Sequence, residues 1–153
     1  MKLNQSKTKV SGNSLRIAII LPRFNDELGQ ELFTNTKAKL ASFGLSMKNI
    51  TLYRVPGALE LPYAAQKIAK AKKHDVIIAL GVVIRGETKH FDIVTEEAHR
   101  GLMQVSLTQM VPVIFGVLAV ENKKQALDRV RADRMNKGAE FAEAAVEMAQ
   151  FSA

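Results

Sequence analysis

Residues 76–92, VIIALGVVIRGETKHFD, constrain the fold more than any other stretch. Val76 to Ile84 is apolar throughout, without the polar alternation of a half-solvated strand. Such a run predicts a strand covered on both faces, as in a parallel sheet. It breaks at Arg85-Gly86, and just beyond it Phe91, Val94, Ala98, Leu102 and Val105 recur three or four residues apart. That spacing gives a helix one apolar face. A strand, a glycine turn and a helix N-terminus thus fall within a few residues of each other, and open α/β sheets bind ligands at such junctions.

The rest of the chain repeats the pattern. Strands are expected at Leu15–Leu21, Ile50–Val55 and Val111–Val120, besides Val76–Ile84. A first helix should carry Leu28, Leu32, Leu40 and Phe43 inward, begin at a cap on Asn25 or Asp26 and stop at Gly44. A second, after Pro56-Gly57, places Leu61, Ala64, Ala65, Ile68 and Ala71 on one stripe. Two more are expected near Glu121–Arg131 and Asn136–Phe151, the last with Phe141, Ala145 and Met148 inward. Strands alternating with helices predict an α/β layered sheet. Residues 1–14 lack periodicity and read as an arm, with a short edge strand near Lys7–Val10; residues 15–153 read as one domain.

The 153 residues suffice for a substantial core. No apolar run approaches the roughly 20 residues of a membrane span, and the first residues lack the hydrophobic stretch of a secretory leader. With no cysteine, disulfides and thiolate chemistry are excluded, and a cytoplasmic protein is expected. The net charge of +7 suits anionic ligands, but the basic residues are scattered and aromatics do not interleave with them, so nucleic acid is not the expected partner.

Right-handed crossovers gather the strand-to-helix turns on one sheet edge, which puts Phe24, Glu60, Arg85, Thr88, His90 and Phe115 in or near one crevice. Gly81 to Thr88 has P-loop spacing, but Glu87 stands where a lysine must neutralise phosphate, so a nucleoside triphosphatase is rejected. Gly86-Glu87-Thr88 reads either as a weak anion site at free helix N–H groups or as a plain glycine turn with Thr88 as its cap. His90 reads either as a proton-transfer group, its unperturbed pKa being about 6.5, or as a helix-end residue. His74 is expected on the surface at the opposite sheet edge, and His99 out of phase with His90. Three dispersed histidines without cysteine do not predict a zinc site, and no G-x-S-x-G elbow is present. Phe24 and Phe115, at expected strand ends, suit stacking on a flat heterocycle or ordinary core packing.

Taken together, Arg23-Phe24-Asn25, Val55 to Pro62 (VPGALELP), Gly81 to Asp92, Val111 to Gly116 (VPVIFG), Glu121-Asn122 and Asn136-Lys137-Gly138 resemble the lumazine synthase family in order and spacing. The resemblance implies a flavodoxin-like three-layer α/β/α fold with a four-stranded parallel sheet. It implies condensation of 5-amino-6-ribitylaminouracil with 3,4-dihydroxy-2-butanone 4-phosphate to 6,7-dimethyl-8-ribityllumazine, releasing phosphate and water, with no metal or cofactor. By matching position it assigns proton transfer to His90. Phe24, Ala58, Leu59, Glu60, Val82, Val83 and Ile84 would hold the pyrimidine and its ribityl chain. Gly86, Glu87 and Thr88 would hold phosphate, Glu87 through its backbone N–H. Phe115, Lys137 and the phosphate-clamping Arg129 would come from a neighbouring subunit of a homopentamer, with the helix after His90 near the fivefold axis and the arm adding an edge strand to a neighbour. Riboflavin synthase is a candidate partner. The chain departs from the family in a glycine-free linker, Val130 to Met135, and in Leu59 and Val82. The linker leaves free pentamer, decamer and icosahedral shell all open. The rival reading is a flavodoxin-like module that binds a flavin or lumazine without turnover.

Overall fold

The structure is a computed structural model that describes residues 14–153. The strand expected near Lys7–Val10, and all but the last residue of the expected arm, lie outside the described residues. Within them the elements alternate as β1 (Ile17–Pro22), α1 (Asp26–Ser42), β2 (Ile50–Val55), α2 (Leu61–Lys70), β3 (Val76–Ile84), α3 (His90–Gln109), β4 (Val113–Val120), α4 (Lys123–Val130) and α5 (Lys137–Ala149). All strand pairs are parallel, in the order β2-β1-β3-β4.

The sheet is covered on both faces, which is why its central strands carry no polar alternation. On one face Ile17, Ile19, Leu21, Val76, Ile78 and Leu80 meet Leu28, Leu32 and Leu40 of α1, Ala126 and Val130 of α4, and Ala142 and Val146 of α5. On the other, Ala18, Ile20, Ile77 and Ala79 meet Leu61, Ala65 and Ile68 of α2 and Val94, Ala98, Leu102 and Val105 of α3. The result is the expected flavodoxin-like α/β/α layering. Among the described residues no helix is long and apolar enough to cross a membrane.

Local chemistry moves several boundaries. The Asn122 side chain accepts from the Gln125 N–H, and that of Asn136 from the Ala139 N–H, so α4 and α5 start at caps inside the expected spans. Gly44 ends α1 as expected, at φ +85°, a conformation glycine adopts without strain. Asn25 does not use its side chain as a cap. It sits at φ 54°, and its Nδ2 donates 2.8 Å to the Val82 carbonyl instead. Met148, expected inward, is exposed, and so is Ala71 at the end of α2. β4 starts two residues late because the Pro112 carbonyl is its first link to β3, accepting from the Ile77 N–H at 2.9 Å.

The strand order leaves a gap. β1 pairs with β3 only from Ile17↔Val76 to Ile20↔Ala79, then ends at Pro22, which has no N–H to give. β3 runs on to Ile84, paired with β4 alone. Its last residues therefore present an unpaired edge beside the turns that follow β1 and β2, and the crevice of the next subsection forms there.

Candidate functional site

Three turns close around the free end of β3. The β1–α1 turn is strapped to β2 by Arg23 N–H to the Val55 carbonyl (2.8 Å) and Phe24 N–H to the Pro56 carbonyl (3.2 Å), and to β3 by Asn25. These ties hold Phe24 74% exposed, an arrangement that burial alone would oppose. The β2–α2 turn folds into a 3₁₀ turn, Ala58–Glu60. A Cβ on Gly57 would lie 3.1 Å from Glu60 Oε2, so the glycine leaves room for that carboxylate. The β3–α3 turn carries Gly86 to Lys89, with the His90 N–H donating 3.3 Å to Thr88 Oγ1 as α3 begins.

Together they enclose a cavity of about 490 Å³. Phe24, Ala58, Leu59, Glu60, Val82, Val83 and Ile84 line it, with Gly86, Thr88 and His90 at its α3 end. Pro22, Pro56, Gly57, Phe91 and Val94 complete the wall. Of these, Phe91 and Val94 were legible only as a buried helix stripe. They serve both core and cavity, and a hydrophobic period cannot separate the two.

Gly86 stands apart from Gly57, the other glycine lining the cavity. A Cβ there would meet nothing within 4 Å, and its φ is not in the left-handed region. Neither packing nor backbone conformation calls for glycine there, and the residue leaves bare backbone at the cavity.

Other expected residues are elsewhere. Phe115 is not at a strand end: β4 continues in register to Val120 opposite Ile84, which leaves Phe115 mid-strand beside Ala79. Its ring rests edge-on against His99, 6.1 Å between centroids, and not on its own chain's cavity. Arg129 lies on α4, on the opposite face of the sheet from α3, with Nη1 donating 3.1 Å to the Gln125 carbonyl. Lys137 begins α5 in the same layer, paired with Glu140. Glu87 is exposed and outside the cavity wall. Arg85 does not project into the crevice. Its guanidinium bonds Asp92 and Glu121, which in that order push its pKa further above the usual arginine value.

The remaining histidines are accounted for. His74 is half-buried against Tyr53 and not a surface residue, and its pKa is lowered, chiefly by burial, then by Arg16. His99 has Nδ1 2.6 Å from the Thr95 carbonyl. Among the described residues no three of His, Asp and Glu gather closely enough to hold a metal ion.

A flat apolar slot, a carboxylate, a bare-backbone turn and an imidazole side by side can hold a polar heterocycle next to an anionic reactant. Relatives can be compared on that basis. Residues 14–153 match the family model described as 6,7-dimethyl-8-ribityllumazine synthase. The chain is 45% identical over 148 residues to the 6,7-dimethyl-8-ribityllumazine synthase of Chlorobium limicola, covering 97% of this chain and 96% of that one. That of Chlorobium phaeobacteroides is 43% identical over the same shares, and that of Thermococcus onnurineus 44% over 149 residues. With the match running from the start of β1 to the last residue, taking in every turn around the cavity, the chain belongs to the 6,7-dimethyl-8-ribityllumazine synthase family.

Proposed function

We propose that this chain condenses 5-amino-6-ribitylaminouracil with 3,4-dihydroxy-2-butanone 4-phosphate to 6,7-dimethyl-8-ribityllumazine, releasing phosphate and water. The observation that carries the reading is the single cavity with Phe24 and Glu60 on one side and Gly86, Thr88 and His90 on the other. In this reading the pyrimidine lies on the Phe24 ring against the free edge of β3, whose backbone groups at Val82 to Ile84 match its polar edge. Ala58, Leu59 and Glu60 hold the ribityl chain. Phosphate sits at the N-terminus of α3, on the backbone of Gly86 and Glu87 and the Thr88 hydroxyl.

The chemistry follows from that placement. The amine adds to the ketone carbonyl and water leaves; phosphate is then eliminated, and the second nitrogen closes the ring with loss of a second water. Each step moves a proton between nitrogen, carbon and oxygen. His90, at the boundary between phosphate turn and pyrimidine slot, is the group that takes and returns it.

The site is completed by a second copy. An anion-binding site with only backbone and hydroxyl donors lacks a fixed positive charge, and Arg129 and Lys137 lie in the other helix layer of their own chain. Delivered by a neighbour, Arg129 forms a two-pronged clamp on phosphate, while Lys137 and Phe115 close the pyrimidine slot. A homopentamer, alone or within a larger shell, supplies such a neighbour. In its support, Ile93, Met103, Leu107 and Met110 form an exposed apolar stripe along α3, between 48% and 85% exposed, more than one solvated helix face ordinarily carries. The enzyme works in the cytoplasm and passes its product to a riboflavin synthase.

The test is direct. Purified protein mixed with both substrates forms the fluorescent lumazine well above the spontaneous rate. Tight binding of the lumazine with no acceleration would favour a storage module instead.

A further inference from the structure

We propose that Arg85 is a positioning residue for the phosphate-holding turn, acting through Asp92 and Glu121 without touching the phosphate. The proposal rests on the reading of the site given above.

Three elements meet at this side chain. The Arg85 N–H donates 2.9 Å to the Val120 carbonyl, the last link between β3 and β4. Beyond it, Nε donates 2.7 Å to Glu121 Oε2, just past the end of β4. Nη1 and Nη2 donate to the two oxygens of Asp92, at 3.3 and 3.1 Å, in the first turn of α3. The guanidinium carbon also lies 4.3 Å from the centre of the Phe91 ring, itself part of the cavity wall. Gly86 to His90 are all exposed and lie between the two ends of the Arg85–Asp92 bridge. That bridge therefore sets the distance across the turn, and with it where the free N–H groups and the imidazole stand.

Charge argues against a direct role. Arg85 precedes the phosphate turn in sequence, yet two carboxylates already occupy its guanidinium. A phosphate would have to compete with both. A planar, five-donor fork suits a bridge of this kind, which an ammonium cannot reproduce.

The location predicts an unusual split between stability and kinetics. The Arg85 side chain is 37% exposed, and its partners 46% and 57%. Ion pairs so open to water contribute little to stability, whereas small displacements of binding groups change rates and affinities strongly.

The experiment compares Arg85→Gln, Arg85→Lys and Asp92→Asn with wild type, measuring Tm and the steady-state constants for each substrate. Arg85→Gln and Asp92→Asn should raise KM for the phosphorylated substrate about 10-fold. KM for the pyrimidine should stay within about 2-fold and Tm nearly unchanged. Arg85→Lys should recover only part of the loss. Should Arg85→Gln not fold, Asp92→Asn, which leaves the guanidinium in place, decides by the same criterion. Wild-type constants in these variants, or parallel rises in both KM values, would overturn the proposal while leaving the proposed reaction intact. A wild-type enzyme that forms no lumazine would overturn both.

Discussion

At residue scale the central pair is His90 and Gly86. His90 is the first residue of α3 and exposed at the cavity. Replacing it with alanine should slow turnover about 10- to 100-fold, at the low end for general acid–base groups because the uncatalysed condensation already proceeds, while leaving Tm unchanged. Stopped mixing of both substrates, followed by lumazine fluorescence, checks it. Gly86→Ala isolates the anion site from the fold. Because a Cβ there meets no protein atom, unfolding free energy should stay within about 0.5 kcal/mol of wild type. KM for the phosphorylated substrate should nonetheless rise; equal KM values would mean that phosphate does not approach this backbone. Gly86, Thr88 and His90 were legible in the sequence because they are local, three residues within five at one turn. Arg129 and Lys137 gave no such signal: in their own chain they lie on the opposite side of the sheet from α3, and only family resemblance pointed to them.

At the scale of elements, hydrophobic period and capping chemistry were enough to place every strand and α-helix of the described residues within a few residues. Strand ends were the weak point. β4, expected over Val111 to Val120, starts at Val113, and pairing with β3 carries it to Val120 as expected, so Phe115 is not at the strand end where it was placed. Long-range register decides where a strand ends, and one chain segment does not contain it. Asn25 holds the N-cap position as expected, but its side chain is used differently for a related reason. Its amide bonds a carbonyl 57 residues away in place of its own helix. Helix packing makes its own prediction. A Cβ on Gly138 would fall 2.7 Å from the Leu32 carbonyl oxygen and 3.0 Å from Thr36 N, both backbone atoms of α1. α5 would have to move off α1 to accept it, and overpacking of this kind costs about 1–3 kcal/mol. Gly138→Ala should accordingly lower the urea midpoint; an unchanged midpoint would mean that the α1–α5 contact is looser than described.

Across the whole molecule the two sheet edges do different work. The C-terminal edge carries the cavity; the N-terminal edge is closed by Arg16, which bonds Asp75 through its backbone N–H (2.7 Å) and its guanidinium (3.1 Å). Burial pushes the Asp75 carboxyl up, but these bonds and the Arg16 charge outweigh it and leave its pKa below the ordinary 3.8. His74 beside it is held below 6.5 by burial first and by Arg16 second. In both cases the unfolded chain binds protons more readily than the folded one. Stability is therefore fully present above about pH 6.5 and falls with acid, first through His74 and then, below about 3.8, through Asp75. His74→Phe keeps an edge-on partner for Tyr53 and removes the first of these. Between pH 7 and pH 5 its Tm should fall less than that of wild type, and an identical slope would contradict the assignment.

The central claim is that each cavity is finished by the adjoining subunit, and co-refolding two impaired variants tests it most directly. His90→Ala and Arg129→Ala, mixed in equal amounts, unfolded and reassembled, should form some sites with both groups intact. With random assembly and one His90 and one Arg129 per site from different subunits, about a quarter of the sites are whole. Lumazine formation should then recover to about a quarter of the wild-type rate, against a small residue for either variant alone. A mixture no faster than the mean of its two parents would contradict the shared site.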